Sequence, residues 1–75
     1  MNRVMAEQIL AAAAMAGNGK KAALKEMAEN GAVMKDGKYP ILGGIAHQIK
    51  AARDGKLFLT SLVDDSTWNQ LGGPR

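Results

Sequence analysis

The sequence predicts a small, mainly α domain of three helices, an αα-hairpin plus a third helix. A short β-hairpin near residues 33–41 accompanies them, and an α+β arrangement is the alternative. Three observations carry this reading. Two stretches rich in Ala, Leu, Met, Lys and Glu are separated only by Gly17-Asn18-Gly19; strong helix formers joined by so short a link make two antiparallel neighbouring helices. The thirteen residues between Gly31 and Ile45 hold Asp-Gly, a Pro and Gly-Gly, which is turn chemistry. The chain has 75 residues, enough for one core, because a chain of this size buries only about 60% of its unfolded surface. Residues 1–71 therefore read as one domain and 72–75 as a loose C-terminal tail.

In chain order, Val4–Ala16 reads as the first helix, with Met1, Met5, Ile9, Ala12, Ala13 and Ala16 on one side at helical spacing. Gly17-Asn18-Gly19 stops it, since these residues accept left-handed backbone. Lys20–Glu29 is the second helix, burying Ala23, Leu24, Met27 and Ala28, with Asn30-Gly31 as its cap. Val33–Tyr39 carries a hairpin signal centred on Asp36-Gly37, a pair suited to a type I′ turn. Pro40 then ends the strand or marks a sheet edge. Gly43-Gly44 reads as a breaker before a third helix over Ile45–Arg53, with Ile45, Ile49 and Ala52 inward. The run Leu57–Val63 fits either a strand or a helix burying Phe58 and Leu62, and period alone does not decide at this length. Asp64-Asp65-Ser66 supplies capping chemistry for a last short turn holding Trp68 and Leu71.

Composition narrows the function classes. There is no Cys, so disulfides and thiolate metal sites are excluded. The longest apolar run lies within Ile9–Gly17, too short to span a bilayer. Arg3 and the Ala14-Met15-Ala16 triplet give Met1–Ala16 some signal-peptide character, but Glu7 and Gln8 interrupt its apolar region. The default location is cytoplasmic. Large side chains are scarce, with one Phe, one Trp, one Tyr and five Met. A core of Ala and Met buries little area per residue, and thin cores of this kind gain stability from a partner or from self-association.

No catalytic constellation is visible. His47 is the only histidine and reads as a partly exposed polar residue on the third helix; alone it makes neither a metal site nor a catalytic base. Asp64-Asp65 is better read as helix capping than as a carboxylate pair. The hydroxyls Thr60, Ser61, Ser66 and Thr67 have no histidine nearby in sequence. Gly17-Asn18-Gly19-Lys20-Lys21 offers an anion a helix N-terminus, without a phosphate-loop spacing or a preceding strand. The reading is a chain that is not an enzyme, with no metal ligands and no cofactor.

The charge map is more informative. Lys20, Lys21, Lys25, Lys35, Lys38, Lys50, Arg53 and Lys56 crowd the middle of the chain against Glu26, Glu29, Asp36 and Asp54. A basic middle suits a phosphate backbone or an acidic protein surface. The candidate partner- or nucleic-acid-binding residues are Lys20, Lys21, Lys25, Lys50, Arg53 and Lys56. A compact helix-turn-helix is excluded, since it allows only about 3–4 residues between its helices; a basic winged-helix-like regulator is the surviving nucleic-acid reading. Stacking on single strands has only Tyr39, Phe58 and Trp68 to draw on, and the last two read as core.

Ala28, Gly31, Asp36, Gly37, Tyr39, Pro40 and Ile41, within residues 26–41, resemble a small module of tailed-bacteriophage head-associated proteins. That module has a helix ending in Ala-x-x-Gly, an Asp-Gly-x-(Tyr/Phe)-Pro-Ile segment and a further helix. Lys35 replaces its usual Pro, and Gly43-Gly44 replaces its acidic helix start. The resemblance covers about a fifth of the chain and implies no catalytic residues. With the thin core, it points to a non-catalytic phage-type protein acting by protein–protein contact, as a virion or head-assembly component. Its expected partner is another protein or a second copy, with nucleic acid the alternative and no membrane.

Overall fold

The computed structural model describes residues 1–70, and for 64, 65, 68 and 69 the backbone alone. The order is α1 (Arg3–Met15), α2 (Lys20–Glu29), β1 (Val33–Lys35), β2 (Tyr39–Leu42), β3 (Ile45–Ala51), β4 (Leu57–Asp64) and α3 (Asp65–Gln70). The four strands form one antiparallel meander, β1-β2-β3-β4. α1 and α2 pack on each other and on one face of this sheet, and α3 follows β4 directly. The architecture is α+β, which corrects the mainly α, three-helix expectation. The expected tail at 72–75 lies outside the described residues.

The helical hairpin forms as its sequence dictates. The Asn2 side chain accepts the Met5 N–H at 2.9 Å and caps α1. Gly17 turns left-handed at φ 74°, and Asn18 N–H reaches back to the Ala13 carbonyl at 2.8 Å, satisfying a helix-end acceptor. Gly31 ends α2 in the same way, with Ala32 N–H on the Met27 carbonyl at 3.0 Å.

The β1–β2 turn carries positive φ at Asp36 (55°) and Gly37 (68°), and Lys38 N–H closes it on the Lys35 carbonyl at 3.0 Å. These are the left-handed residues the Asp-Gly signal requires. The third helix does not form; Ile45–Ala51 is the strand β3. Gly43 and Gly44, at φ 62° and 79°, are a two-residue hairpin turn that pairs Leu42 with Ile45. A Gly-Gly pair serves such turns as readily as it breaks helices. Ile45 and Ile49 also fit period 2 as well as period 3.6, so β pairing on both sides decides the outcome. Leu57–Asp64 resolves as strand. A bulge shifts the β3–β4 register between Ile45↔Asp64 and His47↔Ser61.

The core lies between the helices and the sheet: Ala6, Leu10 and Ala13 of α1, Ala23 and Met27 of α2, and Leu42, Ile49 and Leu59 of the sheet. Small residues in the helices let the backbones approach closely. The expected α1 stripe is corrected. Met5 and Ala12 are exposed, while Ala6 and Leu10 are buried, a rotation of roughly 80° at about 100° per residue. Ala28 of α2 and Ile45 of β3 are exposed rather than inward. Phe58 alternates with buried Leu59 along β4 and is 44% exposed, so it is not core. α3 begins where the acidic capping run placed a last short turn; the settings of Trp68 and Leu71 lie outside the described residues.

Candidate interaction surfaces

α1 is apolar nearly all round. Its buried side is Ala6, Leu10 and Ala13. Its solvent side is Val4, Met5, Gln8, Ala11, Ala12 and Met15, all exposed, with Gln8 the only polar member. At about 100° per residue these six span an arc of roughly 120°. Val4 is 65% and Met15 90% exposed. The charged pair Arg3–Glu7, Nε to Oε1 at 3.0 Å, sits on the flank of this stripe. A surface helix ordinarily turns a charged face to water, and this uncharged stripe departs from that pattern. Burying it releases water at about 25 cal/mol per Å² of apolar area. Sequence reasoning found the residue types but assigned Met5 and Ala12 to the internal core.

The six basic candidates divide into two groups. Lys50, Arg53 and Lys56 are exposed and clustered at the β3–β4 turn, which Ala52 N–H closes on the Lys56 carbonyl at 2.7 Å. Lys56 Nζ holds Asp54 Oδ2 at 3.6 Å, both side chains well exposed, a pair of little energetic weight. Lys20, Lys21 and Lys25 are exposed on the first turns of α2, in the helical layer. α2 runs into β1 at the end of the sheet away from the β3–β4 turn. The helix expected over Ile45–Arg53, which a winged-helix-like reader would use, is instead the strand β3.

His47 was expected to be partly exposed on a helix. It lies on β3, 2% exposed, with its Nδ1 3.4 Å from Ser61 Oγ. Sheet register (His47↔Ser61) brings together two residues fourteen positions apart, which no local sequence signal could show. Burial and the nearby Arg3 charge hold the imidazole below its ordinary 6.5, partly offset by a hydrogen bond to the Leu42 backbone. A neutral His against a serine is half of a nucleophile–base arrangement. The Leu42 backbone, not a carboxylate, is the ring's other partner, and the Ser61 contact is long for a working hydrogen bond.

Asp36 is unusual in a different way. Both carboxylate oxygens are withdrawn from water with no hydrogen-bond partner, a costly state held by the tight turn around it. No group of three or more His, Cys, Asp or Glu among the described residues is arranged to hold a metal ion. No helix among them is long and apolar enough to cross a membrane. No protein-family model matches the chain, and no curated protein or solved structure matches it.

Proposed function

We infer that the chain works by protein–protein contact rather than catalysis, through the outward stripe of α1, as a component of a phage-type particle or its head assembly. The observation that carries the contact reading is that uncharged stripe, Val4 to Met15, facing water. The phage-type setting rests on the resemblance at residues 26–41. In its favour, the Ala-x-x-Gly helix end and the Asp-Gly turn both occur, although the segment after Gly44 is a strand.

A second copy is the simplest occupant. Two α1 helices laid antiparallel about a point between Gln8 and Ala11 place Val4 of each over Met15 of the other. Ala11 and Ala12 lie near the crossing and allow close approach. Arg3 of one copy then falls beside the other's C-terminal carbonyls, where α1 has no basic residue of its own, and a cation there is stabilising. A helix of 13 residues gives a small interface, in the class of weak, transient contacts.

The test is sedimentation velocity over roughly a hundred-fold range of concentration, with melting temperature followed in parallel. The reading predicts a weight-average mass and melting temperature that rise together. A monomer with a concentration-independent melt, and no protein partner retained by the immobilised chain, would remove it. The reading places the protein in the host cytoplasm or the virion.

A further inference from the structure

The face of the sheet turned away from α1 and α2 carries a second candidate site, independent of how α1 is occupied. Ile49 and Leu59 pair and point into the helical core, so their neighbours Lys50 and Phe58, also directly paired, point the other way. The next row on that outer face contains Gln48 opposite Thr60, and Lys35 opposite Tyr39. Extending the Ile41↔Ala46 register brings Tyr39 into line with Gln48. The outer face near the turns thus displays Tyr39 and Phe58 with Gln48, Thr60 and Lys50 between and beside them.

Phe58 is 44% exposed, Tyr39 is half-buried and Lys50 is exposed. Lys38 of the β1–β2 turn and Arg53 and Lys56 of the β3–β4 turn stand exposed at the same end of the sheet. Asp36 and Asp54 are the acids of these turns, the latter 3.6 Å from Lys56, so the four cations outnumber them by two. Two strand spacings and one two-residue step separate Tyr39 from Phe58, about 12 Å. That is the reach of roughly two to three nucleotides on a flat sheet platform.

We propose that this outer face binds a single-stranded nucleic acid, with bases stacking on Phe58 and Tyr39 and phosphates held by Lys38, Lys50, Arg53 and Lys56. Aromatic rings set beside basic groups on a sheet face fit unstacked bases, which present a free π-face. A duplex hides those faces, so the geometry selects single strands. Gln48 and Thr60, between the rings, give hydrogen-bonding groups to base edges.

The experiment is fluorescence anisotropy of a labelled oligothymidylate of about twelve nucleotides with the full chain. Affinity should fall with salt at a log–log slope near about −3, from about 0.7 per phosphate for four cations. Phe58→Ala should weaken binding by roughly 5- to 150-fold. Phe58→Leu, which keeps apolar bulk but lacks the ring, should weaken it similarly, while Phe58→Trp should retain it. Circular dichroism and melting temperature report whether each variant is folded. Lys50→Gln should lower the slope by about 0.7. Absence of binding at low salt would overturn the proposal. So would equal affinity for a duplex of the same length, or a folded Phe58→Leu variant that binds like the parent. None of these outcomes bears on self-association through α1.

Discussion

His47 Nδ1 faces Ser61 Oγ at 3.4 Å across β3 and β4, and the ring is 2% exposed. Its environment stabilises the neutral imidazole: burial first, then the charge of Arg3. The unfolded chain would hold this histidine at its ordinary 6.5, and there it binds more protons than the folded chain. Stability should therefore be full above that value and decline as pH falls through the lowered folded value. Urea midpoints from pH 8 to pH 5 check this. Replacing His47 with Gln should flatten the acid side of the profile, and an equally steep decline in that variant would contradict the assignment.

Leu10 and Met5 lie five positions apart on α1, one in the core and one in water. Leu10→Ala should cost about 2–5 kcal/mol by removing packed methyl groups. Met5→Ala should change monomer stability by about 0.5 kcal/mol or less, as exposed positions do. Denaturant titration of dilute protein measures both. Comparable losses would mean that α1 faces the sheet with the Met5 side.

Gly44, at φ 79°, has open space where a Cβ would sit. Any cost of Gly44→Ala is therefore backbone strain alone. In the hairpin it should destabilise by about 1–2 kcal/mol. At an ordinary negative φ the same change would stabilise by about 0.4–1 kcal/mol. The sign of the shift in urea midpoint therefore reports whether Gly44 holds the left-handed hairpin turn.

Local chemistry made the first half of the molecule legible. Asn2, Gly17, Gly31 and the Asp36-Gly37 pair each act within a few residues of themselves, and both helices and the first turn follow from them. The second half depends on pairing between distant segments. Ile45–Ala51 has helix-compatible spacing and becomes a strand because β2 and β4 flank it. The same non-local pairing buries His47 beside Ser61 and turns Phe58 outward beside Lys50. The basic cluster at Lys50, Arg53 and Lys56 was legible from charge density, but its separation from Lys20, Lys21 and Lys25 by layer was not. The α1 stripe was half legible: a helix apolar on both sides is visible in sequence, whereas which side meets the sheet depends on where Leu10 docks.

On the contact reading, copies of this chain meet through the outward stripe of α1. Sedimentation velocity of the parent chain, Ala12→Glu and Lys21→Glu, at matched concentrations, decides it. A charge in the stripe should abolish the concentration-dependent rise in mass and leave the monomer folded, while Lys21→Glu, on the solvent side of α2, should leave association intact. If Ala12→Glu associates as the parent does, or if the parent is a monomer throughout, α1 is not the surface through which copies of this chain meet.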